Sequence, residues 1–295
     1  MSEKIIPRRR RQRDKRLEAP PRMCLTKRDK EIIQAVCQFR VLRQSQVEAL
    51  FFGDKKPAAQ RRLVNLYDYG YLERYFLPTR GGLMSSPILY GLDKRGVELL
   101  RLEFGYEDLH WYPSSKALKD DFLEHTLAIA DFRVAVTLAC RQSGYELLTW
   151  KSEAELKADY DRTTVRTSKG SGRSVSVIPD SYFAVQTPQG KTHFFLELDR
   201  GTMTVKRFQT KVAAYLAYYQ SGAYQRRYGT QSLRILTVTL GEQRLTNLKR
   251  ASEQTGKTNW FCFGVLSQLN AENVLFSPVW QIAHSTGLFP LIQAK

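Results

Sequence analysis

Three carboxylates within one short stretch could do chemistry together. Asp180, Glu197 and Asp199 fall in VSVIPDSYFAVQTPQGKTHFFLELDRGT. Ser181 to Val185 and Thr192 to Leu198 are rich in aromatic and β-branched residues, and Thr187 to Gly190 is a turn signal between them, so the stretch predicts a β-hairpin. With Pro188 and Gln189 as the loop, Asp180 faces Glu197; with a loop from Pro188 to Lys191, it faces Asp199. Side chains alternate along a strand, so Glu197 and Asp199 share a face and either register sets Asp180 beside an acid. Opposed like charges destabilise a sheet unless a cation or a shared proton intervenes. Hard divalent cations take oxygen ligands, so Mg²⁺ or Mn²⁺ is the expected ion. A plainer alternative has Asp180 starting an edge strand whose acids face solvent. Phe194, Phe195, Leu196 and Leu198 oppose it, because they make the second strand apolar on both faces, as in an interior strand.

The elements around the hairpin follow from periodicity. Apolar residues at 123, 127, 130, 134 and 138 draw a helical stripe over Asp120 to Cys140, with Glu124 near its start, either a surface acid or one aimed at the carboxylates. Glu146 to Lys151 reads as a strand, and residues 161–174 as a polar, basic loop. A helix over Thr204 to Gln220 carries Lys206 and Lys211 beside the stripe of Phe208, Val212, Tyr215, Leu216 and Tyr219. Leu233 to Leu240 and Trp260 to Leu266 read as buried strands around a helix from Glu242 to Thr255. The order predicts an α/β domain with a mixed sheet over residues 119–295. No GxGxxG or GxxxxGK[ST] motif occurs, so nucleotide binding of those kinds is not indicated.

Net charge is +17, and up to Arg101 there are 23 Lys and Arg against 11 Asp and Glu, so most of the excess lies in the first third. That asymmetry points to a polyanion-binding module, and double-stranded DNA is the obvious partner. Residues 1–22, with Arg8, Arg9, Arg10 and Arg11, have too little apolar content to order themselves and read as a disordered basic arm. In residues 23–103, Thr26 caps a first helix, Ser45 to Phe52 forms a second, and Pro57 opens a third that ends at Gly70. Two strands, Tyr71 to Leu77 and Pro87 to Leu92, flank a loop with Gly81 and Gly82, and a helix over Lys94 to Arg101 follows. Residues 104–118 read as the linker.

At 295 residues and 42% hydrophobic content the chain can bury a real core. It lacks an apolar run of bilayer length and an N-terminal signal segment, so a cytoplasmic protein without membrane partners is expected. The four cysteines and four histidines are scattered, which signals neither a zinc site nor a disulfide framework.

Helix, helix, helix and hairpin is the order of a winged helix-turn-helix, and TKRDKEIIQAV, SQVEALFF, AAQRRLVNLYDYGYLER and YGLDKRGVELL resemble that family. The resemblance implies that the third helix reads the major groove, with Gln60, Arg61, Arg62 and Asn65 exposed on it, Lys55 and Lys56 before it and Arg80 on the wing. The second half resembles the PD-(D/E)XK nuclease core. Carried over by position, Asp180 and Glu197 bind Mg²⁺, Glu124 is the first-helix acid, and the lysine two residues after the second acid is replaced by Asp199. Water activation would then fall to Lys206 or Lys211, as in relatives whose lysine has migrated. The whole combination, with LEHTLAIADFRVAV, IPDSYFAV and FFLELDRGT, resembles the replication-relaxation family over about residues 25 to 270. That family is associated with plasmids, conjugative elements and phages, and its signature includes Asp199.

These readings predict a DNA-binding protein of a mobile element, acting in replication, relaxation or mobilisation. Partners would be double-stranded DNA, a second copy of the chain, and replication or transfer proteins. Its second domain is either a Mg²⁺- or Mn²⁺-dependent nickase, with Glu124, Asp180, Glu197, Asp199, Lys206 and Lys211 as site residues, or a non-catalytic scaffold or dimerisation unit.

Overall fold

A computed structural model describes residues 12–53, 55–77, 86–107, 120–166 and 172–293. The chain divides into two compact units, Met1–Ala130 and Asp131–Lys295. In the first, α1 (Lys27–Phe39) is followed by β1 (Leu42–Arg43), α2 (Gln44–Phe51), α3 (Lys56–Asp68), β2 (Leu72–Phe76), β3 (Ile88–Leu92) and α4 (Lys94–Phe104). The strands form an antiparallel sheet in the order β1-β3-β2. Ile32, Ile33, Val36, Val47, Leu63 and Leu66 have no exposed surface, so the residues that recur at helical spacing are the core. The expected order of three helices and a hairpin is present. The two-residue β1 is too short to leave a periodic pattern and was not anticipated.

The long helix, α5 (Asp120–Ser143), contributes to both units. Leu123 and Leu127 pack with Val41, Tyr75 and Leu89 in the first. Phe132 packs in the second against Phe183 and Trp280, at ring-centroid distances of 6.1 and 6.2 Å. The division between the units falls inside α5, after Ala130. A single apolar stripe reads the same whether it serves one core or two.

The second unit continues with β4 (Glu146–Ser152), α6 (Glu153–Ala158), β5 (Asp161–Arg166), β6 (Gly172–Val177), β7 (Ser181–Thr187), β8 (Gly190–Asp199) and α7 (Val205–Gln220). Then come α8 (Ala223–Tyr228), β9 (Arg234–Thr239), α9 (Glu242–Thr255), β10 (Phe261–Val265) and β11 (Gln281–Ile282). A six-stranded mixed sheet has the order β11-β10-β9-β8-β7-β4, with β8, β9 and β10 mutually parallel. One face carries Phe195, Ile235, Phe261 and Phe263 under Phe208, Val212 and Tyr215 of α7 and Leu245 and Leu248 of α9. The other carries a run of stacked rings, Trp150 on Phe183 at 4.8 Å and Phe183 on Phe194 at 4.7 Å. This sets β8 in the sheet interior, as its two-sided apolar pattern predicts.

Two sequence readings change. Residues 161–174 are largely a second hairpin, β5 with β6, anchored where the Tyr218 hydroxyl donates to the Asp161 carboxylate. Their polar composition hid it, because a two-stranded ribbon needs no alternating apolar face when a helix supplies the contact. Residues 12–22 are not a free arm. Arg16 pairs with Asp93 at 2.6 Å and Glu73 at 3.0 Å, the Tyr67 hydroxyl donates to the Asp14 carbonyl at 2.8 Å, and Arg74 donates to the Arg13 carbonyl at 3.1 Å. Their partners lie more than 50 residues away, where local composition carries no signal. Arg8, Arg9, Arg10, Arg11 and Arg80 lie outside the described residues.

Arg62 also differs from its expected outward pose. Thr26 and Asp29 form a reciprocal cap on α1, with the Thr26 amide donating to Asp29 Oδ2 at 2.6 Å and the Asp29 amide to the Thr26 hydroxyl at 3.3 Å. The Arg62 guanidinium donates to both oxygens of this fully buried carboxylate and to the Cys24 carbonyl at 2.6 Å. Burial alone would raise the Asp29 carboxyl, but the bonds from Arg62 and Thr26 outweigh it and hold the group below its ordinary value. Its stabilisation is therefore present above the unfolded aspartate value of about 4 and is lost as pH falls through the lower folded one. Arg62→Ala should cost about 3 kcal/mol at neutral pH, since it strands a buried charge. Urea unfolding should show that difference at pH 7 and a smaller one at pH 3; a variant as stable as the parent at pH 7 would deny the pair a structural role.

Candidate functional site

The hairpin register resolves the first question that the sequence leaves open. Thr187 pairs with Gly190 and Ser181 with Leu196, so the loop is Pro188 and Gln189, the register that brings Asp180 to the Glu197 end of the hairpin. Glu197 is 3% exposed and sits on the α7 face of β8. Lys211 and Tyr215 lie four residues apart, on one side of α7, and both reach it. The Lys211 ammonium donates to Oε2 and the Tyr215 hydroxyl to Oε1. On the next strand Thr237 is the register partner of Glu197; it is fully buried, and its hydroxyl has no hydrogen-bond partner.

The other two acids are held as well. The Leu198 amide donates to Asp180 Oδ2 at 2.7 Å, and the Asp180 amide donates to the Leu196 carbonyl at 2.9 Å, so Asp180 closes the β7 end of the hairpin. Asp199 is 3% exposed and takes a two-pronged contact from α9, Arg244 Nε to Oδ1 and Nη2 to Oδ2, each at 2.8 Å. The Gly201 amide adds a bond to Oδ1 at 2.7 Å. Gly201 has φ +84°, the left-handed turn that brings its N–H back to the acid two residues earlier, and glycine adopts it without strain. Asp199 thus joins α9 to the sheet end.

Electrostatics follow from burial. Desolvation pushes the Glu197 carboxyl up to about 7, against the downward pull of Lys211 and with a further push from the charge of Asp180. Burial would lower the Lys211 ammonium, but Glu197 and Asp180 together raise it above its usual value, so it stays charged. Burial also holds the Tyr215 phenol well above its ordinary value, as a neutral donor. The influence of Asp180 on Glu197, Lys211 and Tyr215 alike marks all four as one cluster.

Of the sequence-derived site residues, Asp180, Glu197 and Lys211 come together. Lys206 is exposed in the first turn of α7, and Glu124 is exposed on the part of α5 that groups with the first unit. Sequence reasoning placed Tyr215 in the core stripe without giving it a role and did not single out Arg244 or Thr237. The spacing of Tyr215 from Lys211 was the available signal; nothing local marks Arg244, 45 residues from its partner.

For Mg²⁺ or Mn²⁺ the donors are of the right kind but not free to serve. Lys211 and Tyr215 occupy both Glu197 oxygens, an amide occupies Asp180 Oδ2, and Arg244 closes Asp199. Among the described residues no three His, Cys, Asp or Glu side chains come together as ligands for an ion. As arranged, these residues do not fit the expected divalent cation.

In the first unit, Lys55, Lys56, Gln60 and Arg61 are exposed along the start of α3, while Asn65 is half-buried. No helix among the described residues is long and apolar enough to cross a membrane.

A family model described as replication-relaxation matches residues 33–233, more than half of the chain. Among solved structures, the chain is similar to restriction endonuclease FokI, with 12% identity and a TM-score of 0.26 over 83% of this chain and 42% of that one. It is likewise similar to FokI bound to DNA, with 10% identity and a TM-score of 0.27 over 81% and 42%. The chain thus spans about two fifths of the FokI chains it matches. A search of curated proteins found no match.

The raised Glu197 value inverts the usual acid pattern. The folded state binds a proton more tightly than the unfolded one, so its contribution to stability is fully present below about 4.5 and is lost as pH rises to about 7. The expected size is about 3 kcal/mol. Glu197→Gln should flatten the dependence of unfolding free energy on pH between 4.5 and 7, measured by urea titration at several pH values. A wild type and variant with parallel profiles would show that Glu197 is ionised throughout.

Proposed function

We propose that this chain, which belongs to the replication-relaxation family, binds double-stranded DNA in the replication or mobilisation of a plasmid or similar element. The observation that carries this reading is the exposed run of Lys55, Lys56, Gln60 and Arg61 on α3. It lies on the third helix of a helix, helix, helix, hairpin order, the position of a groove-reading helix in winged helix-turn-helix proteins. Lysines at the helix start suit phosphates, and Gln60 and Arg61 suit base edges. The charge of +17 adds long-range attraction for a polyanion.

The second unit, in this reading, is a scaffold in the replication assembly. Asp180, Glu197 and Asp199 each accept hydrogen bonds inside the fold, which supports a structural role for them. One observation favours a second reading, a metal-dependent nickase: Lys211 reaches Glu197 from the following helix, where a migrated lysine would act.

Two measurements test these readings. In gel shifts with duplex DNA, Arg61→Ala should weaken affinity roughly tenfold, and Lys56→Ala should lower the slope of log affinity against log salt by about 1. Unchanged affinity in both would remove α3 from the interface. On supercoiled plasmid with Mg²⁺ or Mn²⁺, the scaffold reading expects no nicked circles. Nicking by the wild type that is abolished in Glu197→Gln and Lys211→Ala would replace the scaffold with a nickase.

A further inference from the structure

We infer that a cleft at the N-terminal ends of β9 and β10 binds a nucleobase together with its phosphate. The inference extends the DNA-binding reading to unpaired nucleotides and uses residues that play no part in the α3 surface or the carboxylate cluster. The cleft measures about 410 Å³, within the roughly 300–1,000 Å³ typical of small-ligand sites.

Its floor is aromatic and held in place. Tyr219 and Trp260 lie with centroids 5.0 Å apart and planes at 34°. The Tyr219 hydroxyl donates to the Gln231 carbonyl at 2.9 Å, and Trp260 meets the Phe261 ring at 4.7 Å, so each ring has a partner within the fold. Trp260 and Tyr219 are nonetheless only partly buried, and each lines the cleft. Leu216 and Leu233 complete an apolar wall.

The polar lining is selective in kind. Gln220 and Asn259 supply carboxamides, each with donors and an acceptor, and Lys257 supplies an ammonium; among the described residues no carboxylate lines the cleft. A π face, amide edges and one cation match the three parts of a nucleotide: the flat base, its hydrogen-bonding edge and its phosphate. Stacking on aromatic side chains tolerates any base, so the cleft suits a strand that has been opened more than a particular sequence. The same chemistry could come from single-stranded DNA or from a free mononucleotide.

The test titrates the full chain with a fluorescently labelled octathymidylate, reads anisotropy, and competes with thymidine monophosphate. Trp260→Ala should weaken oligonucleotide binding roughly tenfold, and Trp260→Phe should retain most of it, because an aromatic face survives. Lys257→Ala should lower the salt slope by about 0.7. Competition by the mononucleotide identifies a free nucleotide as a sufficient ligand, whereas binding of the oligonucleotide alone identifies the strand; either outcome supports the cleft. Duplex affinity, measured alongside, should be the same in Trp260→Ala as in wild type. The inference is overturned if wild type binds neither probe, or if Trp260→Ala and Lys257→Ala both bind the oligonucleotide as wild type does. If Trp260→Ala does not fold, judged by its thermal melt, the salt slope of Lys257→Ala still decides. Loss of duplex binding in the Arg61 variant with the oligonucleotide bound normally separates the α3 surface from the cleft.

Discussion

A carboxylate in the interior of the second unit must find partners, and the arrangement of that unit follows from the partners it finds. Glu197 is almost wholly removed from water on a central strand, a position that strongly disfavours an unpaired charge. Lys211 and Tyr215 meet its two oxygens from one side of α7. That double contact sets the rotation of α7 about its axis, and with it the inward direction of Phe208 and Val212. The apolar packing on that face of the sheet is therefore in register with a polar anchor, and neither could shift without unmaking the other.

The neighbouring acids extend the same logic to other elements. Asp180 takes the Leu198 amide and so finishes the β7–β8 ladder, while Asp199 and Arg244 fasten α9 to the end of β8. In the first unit Asp29 caps α1 and, through Arg62, holds α3 against it. In each case a residue type that invites a chemical interpretation is consumed by the architecture. The hydroxyl of Thr237, buried beside Glu197 without a partner, is the polar group there that the network leaves unmatched.

Taken together, the surfaces left over are those that suit nucleic acid. The basic start of α3 faces solvent in the first unit, and the Tyr219–Trp260 cleft opens in the second. One offers charge and hydrogen-bonding side chains on a helix, the other two aromatic rings with carboxamides and a lysine in the same cleft. In the proposed reading the first serves a duplex groove and the second an exposed base.

Local pattern by itself determined much of the fold. Helical spacing located the stripe of α1, the Pro57 start of α3 and the limits of α9, because burial of one helix face imposes a period that any stretch of chain records. The turn at Pro188 and Gln189, between runs of β-branched and aromatic residues, announced the hairpin and narrowed Asp180 to one of two partners. Tertiary structure chose between them, since a two- and a four-residue loop leave the same alternation of faces. It alone decided that Arg62 turns inward, that Asp199 meets Arg244, that Lys211 and not Lys206 reaches Glu197, and that residues 12–22 lie along the first unit. These are pairings of charges far apart in the chain. Coulombic attraction and desolvation act on distance in space, for which sequence separation carries no record.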